Sequence, residues 1–155
     1  MSSREYPAHA VAAVAAVVLK DRQLLVIRRA HPPGEGLWAI PGGVIEAGER
    51  VLDAAKRELA EETGLTGEPD GILGLTQVIR RDESGAVRWH YLIVLVSFNP
   101  ETLRGVLKPS GDAADAMWLP LEELLSRNDV AVTTRAVAEL LARSGSRLSL
   151  SHVIG

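Results

Sequence analysis

The stretch GVIEAGERVLDAAKRELAEETGL, residues Gly43–Leu65, carries the strongest structural signal in the chain. From about residue 51 to 63 its apolar and polar residues recur with the period of an α-helix. Gly64 follows, and glycine is the residue that most often ends a helix in a left-handed conformation. Within this helix Glu58, Glu61 and Glu62 are spaced i, i+3, i+4, so they share one face within about 100° of arc. The spacing therefore predicts a cluster of carboxylates along one helix face.

The predicted carboxylate cluster indicates a site for a divalent cation. Adjacent like charges on an open helix cost a few tenths of a kcal/mol per pair, and a bound cation removes that repulsion. Oxygen ligands without His or Cys select a hard ion, Mg²⁺ or Mn²⁺. Arg57 lies four residues before Glu61 and is placed to orient the carboxylates. The alternative is a Glu-rich helix face that is simply solvated.

The residues next to the cluster predict how the helix is placed. Leu52, Ala55 and Leu59 occupy a neighbouring arc and are expected to dock the helix onto a sheet. Before the helix, Pro41-Gly42-Gly43 supplies flexible backbone whose carbonyls could also reach a metal. The positive end of the helix dipole would favour a phosphate.

The rest of the chain alternates between strand and helix patterns. The apolar runs Ala8–Leu19 and Leu24–Ile27, separated by Lys20-Asp21-Arg22, predict a buried hairpin rather than a secretory signal. Further strands are expected at Leu37–Ile40, Ile72–Arg80, Val87–Phe98 and around Met117–Leu119, and helices after Pro120 and at about 133–143. This order predicts an α/β fold in which helices cover a mixed sheet.

Composition limits the function classes. The 155 residues and 16.6 kDa fit a single domain, here 1–155, with a core at about 8–143 and a loosely held tail at 144–155. A net charge of −3 gives no support for nucleic-acid binding. The absence of cysteine excludes thiol catalysis and disulfides and fits a reducing compartment. No apolar run reaches the roughly 18 residues of a membrane span. We therefore expect a cytoplasmic protein with no membrane or nucleic-acid partner.

The helical stretch resembles the signature of the Nudix hydrolases: Gly, five residues, Glu, seven residues, Arg-Glu-aliphatic, any residue, Glu-Glu, any residue, Gly-aliphatic. The nine specified positions are filled by Gly43, Glu49, Arg57-Glu58-Leu59, Glu61-Glu62 and Gly64-Leu65. The resemblance extends over about residues 8–143 and implies a Nudix-like α/β/α sandwich with a mixed central sheet. One departure is Arg50, where relatives often have a Ser or Thr helix cap.

The resemblance also implies roles for the signature residues. Nudix enzymes hydrolyse a nucleoside diphosphate linked to another group with a divalent cation, Mg²⁺, for which Mn²⁺ can substitute. Glu58, Glu61 and Glu62 match the family's metal ligands, and the carbonyl of Gly43 matches a further ligand. Glu58 also matches the position of the water-activating base in some members, and Arg57 matches the arginine that orients the glutamates. The leading glutamate of the signature, Glu49, is expected to have a structural role.

Candidate substrate residues lie outside the signature. Arg28 and Arg29 end a predicted strand where the family often places a phosphate-contacting arginine, and Arg28 is favoured by register; a solvated strand end is the alternative. Asp112 and Asp115 lie in a loop where several relatives keep an acidic ligand or base, and Asp112 is favoured as catalytic. The ring residues that could stack on a base, or simply fill the core, are Trp38, Trp89, Tyr91 and Trp118. On its strand, His90 is expected to face away from Trp89 and Tyr91.

Three longer stretches are similar to the short ADP-ribose pyrophosphatases of this family: LLVIRRAHPPGEGLWAIPGG from Leu24, RWHYLIVLV from Arg88 and GDAADAMWLPLEEL from Gly111. Longer ADP-ribose enzymes carry a proline about fifteen residues beyond the signature, where this chain has Arg80-Arg81. The similarity implies hydrolysis of ADP-ribose to AMP and ribose 5-phosphate, by a possible homodimer. Oxidised nucleoside triphosphates and diadenosine polyphosphates are alternative substrates, and a non-catalytic nucleotide sensor is a further alternative.

Overall fold

The computed structural model describes residues 4–144 and 152–154, which form nine strands and three helices. The strands are β1 (Val11–Val17), β2 (Leu19–Lys20), β3 (Gln23–Arg29), β4 (Trp38–Ala39), β5 (Gly42–Val44), β6 (Leu65–Arg81), β7 (Val87–Gly105), β8 (Ala113–Pro120) and β9 (His152–Ile154). The helices are α1 (Val51–Thr63), α2 (Leu121–Ser126) and α3 (Val132–Ser144). The predicted helix at 51–63 is confirmed, and Gly64 ends it with a φ of 76°.

The larger sheet has five strands in the order β5-β1-β7-β6-β9. It is mixed, because β1 pairs with β7 in parallel whereas β5–β1 and β7–β6 are antiparallel. The register places Val44, Ala13, Ile93 and Thr76 in one row across four neighbouring strands. The nearly continuous apolar run of β7 fits its central position in this sheet.

A second, smaller sheet is built around β3, which pairs with β8 on one side and with β2 and β4 on the other. The predicted hairpin is correct only for its tip, because the first apolar run divides at Val18. The part before Val18 is β1 in the larger sheet, and only β2 pairs with β3. The tip turns through Asp21 and Arg22, both with positive φ, as a tight hairpin turn requires.

Helix α1 packs on one side of the two sheets. Its buried residues Ala54, Ala55 and Leu59 contact an apolar cluster that includes strand residues from both sheets. The expectation that Leu52 docks the helix is wrong: Leu52 is 40 % exposed. Ala54, fully buried, lies at the contact instead, since its small side chain lets α1 approach the sheet closely.

Helices α2 and α3 cover the opposite side through a second apolar cluster. That cluster consists of Ala15, Val17, Leu24, Val26, Trp38, Ile40, Leu95, Leu119, Leu121, Leu124, Val130, Val137, Ala138 and Leu141. The two sheets are therefore a central layer between α1 and the α2–α3 pair, and the predicted α/β/α sandwich with a mixed central sheet is confirmed.

Several boundaries differ from the sequence expectations. Gly42 and Gly43 lie in strand β5 rather than in a flexible turn. Strands β6 and β7 are longer than expected, so the loop before β8 covers only residues 106–112, and Asp115, which was expected in a loop, lies in β8. Of the tail expected to be loosely held, residues 145–151 and 155 lie outside the described residues, and β9 pairs in parallel with β6. Within residues 4–144 and 152–154, no helix is both long enough and apolar enough to cross a lipid bilayer.

Candidate active site

Arg57 is the centre of a partly buried hydrogen-bond network between α1 and the segment before it. Its Nε and Nη2 donate to the two carboxylate oxygens of Glu49 at 2.7 and 2.9 Å. Its Nη1 donates to Glu58 at 2.7 Å and to Glu61 at 3.2 Å, and Nη2 also donates to the Val44 carbonyl at 3.0 Å. All five N–H donors of the guanidinium are therefore used. Arg57 holds three of the four signature glutamates, Glu49, Glu58 and Glu61.

The charges in this network stabilise one another. The two hydrogen bonds from Arg57 are the main reason that the pKa of Glu49 falls to about 2. The same bonds raise the pKa of Arg57, so both groups stay ionised across the physiological range. Glu49 contacts the helix through Arg57 and does not line the cavity described below.

Glu62 points away from this network and into the fold. It is 3 % exposed, and its Oε1 accepts a hydrogen bond of 2.7 Å from the Gly42 N–H. Burial raises the pKa of Glu62 to about 8, an effect that the Gly42 N–H opposes and the nearby charge of Glu58 strengthens. Burial therefore favours the protonated form of Glu62 over the ionised form much more than in a carboxyl exposed to water.

Glu58 lies directly against Gly43. A Cβ atom at Gly43 would come within 2.4 Å of the Glu58 carboxyl carbon, closer than any side chain can approach. Burial raises the pKa of Glu58, and the hydrogen bond from Arg57 opposes that shift. A side chain at position 43 would therefore displace the Glu58 carboxylate from its place beside β5.

Strand β5 is an edge strand, and its outward backbone groups bond to side chains of α1. Residues 42–44 pair with β1 on one side only. On the other side the Gly42 N–H donates to Glu62 and the Val44 carbonyl accepts from Arg57. These two bonds fix α1 at the sheet edge and place its carboxylates beside Gly42 and Gly43.

The loop at residues 106–112 brings a further carboxylate to the same end of α1. Its Lys108 N–H donates to the Thr63 carbonyl at 2.8 Å, and its Ser110 N–H donates to the Glu62 carbonyl at 3.2 Å. The Ser110 hydroxyl donates to the Glu61 carbonyl. These bonds satisfy the last carbonyls of the helix, which have no partner within it. The loop continues into Asp112, whose negative charge is a minor cause of the raised pKa of Glu58 and of Glu62, after burial.

A cavity of about 290 Å³ opens beside these carboxylates. At the β5 end it is lined by Gly42, Gly43, Glu62, Asp112 and Arg29. Its walls are mostly apolar, from the larger sheet on one side and from β4 with the start of α3 on the other. The cavity thus joins Glu62 and Asp112 to a space large enough for an organic group, whereas Glu58 and Glu61 are not among its lining residues.

The structure separates the candidate substrate residues. Arg29 lines the cavity and is anchored by a hydrogen bond of 2.7 Å from its Nε to the Pro33 carbonyl. Arg28 is exposed, lies over the ring of Trp38 and is not among the residues that line the cavity. The two side chains diverge because neighbouring residues of a strand face opposite sides.

The other candidate site residues also differ in whether they line the cavity. Asp112 lines the cavity, whereas Asp115 lies in β8 opposite Arg28. Of the four ring residues, Tyr91 contributes to the cavity wall, Trp38 is in the core, Trp118 packs near α1, and Trp89 stacks on Tyr91 with ring centres 6.3 Å apart. His90 does not line the cavity.

Sequence analysis missed three groups in the cavity wall: Arg4, Arg80 and Thr76. Arg4 lies in the segment before β1, where nothing indicated a contact with the sheet. Arg80 and Thr76 are on β6, and the face they present depends on the register with β7. No local signal in the sequence could have identified them.

The described carboxylates fit a hard divalent cation by their chemistry. They offer oxygen ligands only, and Glu58 and Glu61 are both within hydrogen-bond distance of one nitrogen, Arg57 Nη1. Because Gly43 has no side chain, the Glu58 carboxylate lies directly against the backbone of β5. Across the described residues, no three His, Cys, Asp or Glu side chains are already gathered as a set that would hold a metal ion. Instead, Arg57 holds Glu58 and Glu61, whereas the Gly42 N–H holds Glu62.

The sequence of the chain is similar to known proteins of one family. The NUDIX domain model matches residues 9–141. An ADP-ribose pyrophosphatase from Methanocaldococcus jannaschii is 35 % identical over 116 residues, which are 75 % of this chain and 65 % of that protein. The phosphatase NudJ of Escherichia coli K12 is 30 % identical over 141 residues, 90 % of this chain and 88 % of NudJ.

The fold of the chain is also similar to that of a solved structure. The crystal structure of a MutT NUDIX hydrolase from Burkholderia pseudomallei superposes with a TM-score of 0.67 over 84 % of this chain and 97 % of that one, at 24 % identity. The match to the archaeal pyrophosphatase leaves about a third of that relative's length unaligned.

Proposed function

The chain belongs to the Nudix family, and from that membership we propose that it is a metal-dependent pyrophosphohydrolase that cleaves ADP-ribose into AMP and ribose 5-phosphate. The observation that carries the proposal is the cavity that begins at Gly42, Gly43 and Glu62 and continues between apolar walls. A diphosphate fits the charged end, and a nucleoside fits the apolar space. The 35 % identity to the archaeal ADP-ribose pyrophosphatase supports this substrate.

Glu58, Glu61, Glu62 and the Gly43 carbonyl are the groups that would hold the cation, with Mg²⁺ as the expected ion and Mn²⁺ as a substitute. Such an ion, when bound, neutralises charge on the phosphate oxygens and lowers the pKa of a coordinated water. Members of the family generally use divalent metal ions.

The protein's own residues position the reactants. Arg57 fixes the orientation of Glu58 and Glu61, and with it the direction in which their carboxylates face. Arg29, held against Pro33, is placed to contact a phosphate oxygen of the substrate with its remaining N–H donors. The proton released by the attacking water passes to a carboxylate, and Glu58 and Asp112 are the two candidates beside the cavity.

The test is a substrate panel with product identification. Purified protein is incubated with ADP-ribose, NADH, diadenosine polyphosphates, sugar nucleotides and 8-oxo-dGTP in Mg²⁺, and again after chelation. We expect the highest kcat/KM for ADP-ribose, release of AMP, loss of activity in chelator, and recovery with Mg²⁺ or Mn²⁺. Activity that persists in chelator would contradict the metal assignment.

A second candidate is hydrolysis of nucleoside triphosphates, including oxidised ones, or of diadenosine polyphosphates. The relationship to a protein named phosphatase NudJ spans more of both chains than the match to the ADP-ribose pyrophosphatase, and it supports testing substrates other than ADP-ribose. A higher kcat/KM for 8-oxo-dGTP or a diadenosine polyphosphate than for ADP-ribose would select this candidate.

We further propose a cytoplasmic enzyme that forms a homodimer. Ile79 and Leu92, which are 39 % and 44 % exposed, lie on β6 and β7 on the sheet face opposite the cavity and offer an apolar contact surface. Light scattering after size-exclusion chromatography measures the mass in solution, and a value of one chain at micromolar concentration would contradict the dimer.

A further inference from the structure

Two buried threonines line the same cavity from opposite walls, and their hydroxyls differ in hydrogen bonding. Thr134, near the start of α3, is 1 % exposed, and its Oγ1 accepts a hydrogen bond of 3.0 Å from the Ile40 N–H. Thr76, on β6, is 2 % exposed, and its Oγ1 is the one buried side-chain oxygen or nitrogen without a hydrogen-bond partner within the part of the chain that the structure describes. Buried polar groups in native proteins nearly always have a hydrogen-bond partner in the protein, in ordered water or in a bound ligand.

The place of Thr76 in the sheet sets its distance from the acidic cluster. Val44, Ala13, Ile93 and Thr76 form one row across neighbouring strands, and all four line the cavity. Three strand spacings of about 4.8 Å put Thr76 about 14 Å across the sheet from β5. Thr76 therefore lies well beyond the phosphates that the β5 end would hold, on the side where the rest of the substrate extends.

The surroundings of Thr76 select the kind of group that fits. The side chains next to Thr76 in the cavity wall are mostly apolar: Ala13, Val78 and Ile93, with Arg80 and Tyr91 further along β6 and β7. A sugar against the apolar part of this wall would leave several hydroxyls without partners. A nucleobase has apolar faces and a polar edge, so it matches a wall in which a few polar groups lie among apolar side chains.

We infer that Thr76 is a specificity-determining residue whose hydroxyl forms a hydrogen bond with the edge of a nucleobase inserted in the cavity. The inference rests on the proposed function, because it assumes that the substrate is a nucleotide held with its phosphates at the β5 end. A threonine hydroxyl donates or accepts, so it is compatible with either kind of group on the base.

The test uses Thr76→Val, which replaces the hydroxyl by a methyl group of similar size, and Thr76→Ser, which keeps the hydroxyl. Binding of AMP and of ribose 5-phosphate is measured by calorimetry with the full-length protein. We expect Thr76→Val to weaken AMP binding about three- to tenfold and to leave ribose 5-phosphate binding unchanged. Thr76→Ser should bind AMP within about twofold of the wild-type protein. Unchanged AMP affinity in Thr76→Val would overturn the inference.

Thermal unfolding distinguishes a hydroxyl that binds a ligand from one that only stabilises the fold. Removal of a stabilising hydroxyl lowers the Tm. The Thr76→Val protein should keep or raise the Tm, since it removes a buried hydroxyl that has no partner in the described fold. Thr134→Val is the matched comparison and should lower the Tm, because it leaves the Ile40 N–H without its acceptor. A Tm loss in Thr76→Val as large as that in Thr134→Val would overturn the inference.

The two proposals fail in different ways. A wild-type protein that hydrolyses none of the panel substrates contradicts the proposed function. The comparison of AMP with ribose 5-phosphate needs no turnover, so it still decides whether Thr76 contacts a base.

Discussion

At the scale of single residues, Arg57 has the most demanding position, because all five of its N–H donors have acceptors on Glu49, Glu58, Glu61 and the Val44 carbonyl. Lysine carries the same charge but lacks the planar fork. We expect Arg57→Lys to lower kcat about 10- to 100-fold and the free energy of unfolding by about 1–3 kcal/mol.

The control for Arg57→Lys is Arg22→Lys, which alters an exposed pair with Glu122. An exposed pair contributes about 0–1 kcal/mol, so this variant should behave like the wild-type protein in both kinetics and thermal unfolding. Equal behaviour of the two variants would contradict the orienting role of Arg57.

Glu61 is predicted to be needed for turnover. Glu61→Gln keeps the shape of the side chain and removes one negative charge from the set proposed to hold the cation. We expect kcat to fall at least about 100-fold and the Mg²⁺ concentration for half-maximal activity to rise. Glu139→Gln, the same change at an exposed position of α3, is the control. Near-normal activity of Glu61→Gln would remove Glu61 from the metal site.

Glu49 gives a prediction about stability and pH. Its pKa in the folded protein is about 2, below the ordinary value of 4.5, because of the hydrogen bonds from Arg57. The ionised Glu49 therefore stabilises the fold above about pH 4.5, and this contribution disappears as the pH falls towards 2. The free energies of unfolding of the wild-type protein and of Glu49→Gln, measured in urea, should differ at pH 6 and become equal in acid. A difference that stays constant down to pH 2.5 would show that the bonds to Arg57 are not its source.

At the scale of elements, the junction between α1 and the loop at residues 106–112 links helix termination to the site. Gly64 has a φ of 76°, and a Cβ there would come within 2.7 Å of the Val106 carbonyl oxygen. Gly64→Ala should therefore lower the free energy of unfolding by about 1–2 kcal/mol or more and displace the loop that carries Asp112. Thermal unfolding and kcat/KM measure the two effects.

Gly36→Ala is the matched control, since Gly36 has a φ of 84° and no atom within 4 Å of its Cβ position. Gly36→Ala bears only the cost of placing an alanine at a positive φ. Any additional loss of stability in Gly64→Ala therefore measures the contact with Val106. If the two variants lose the same stability and the same activity, the loop is not held in place by its contact with the end of α1.

At the scale of the whole molecule, β3 joins the two cores. Its neighbouring residues Leu24 and Leu25 are both fully buried, Leu24 in the cluster under α2 and α3 and Leu25 in the cluster under α1. We expect Leu24→Ala and Leu25→Ala each to cost about 2–5 kcal/mol of stability and to leave a single unfolding transition. Coincident curves from far-UV circular dichroism and Trp fluorescence check this, and separate transitions would mean that the cores unfold independently.

Local patterns predicted α1, its end at Gly64 and the signature residues, because helical period and a terminating glycine act over a few residues. They did not predict that the first apolar run divides at Val18, since that depends on β1 finding β7 about eighty residues later. The smaller sheet was missed for the same reason, because β3 pairs with β8 far along the chain. Arg29, rather than Arg28, was assigned to the cavity only once the register of β3 was known.

The bonds that α1 makes to the rim of the larger sheet have a consequence for self-association. A short strand such as β5 exposes backbone groups that an extended segment of another molecule can pair with, which is how sheets recruit further strands and aggregate. Here Glu62 and Arg57 occupy the Gly42 N–H and the Val44 carbonyl that such a segment would use. The residues proposed for turnover thus also protect the protein from intermolecular strand addition.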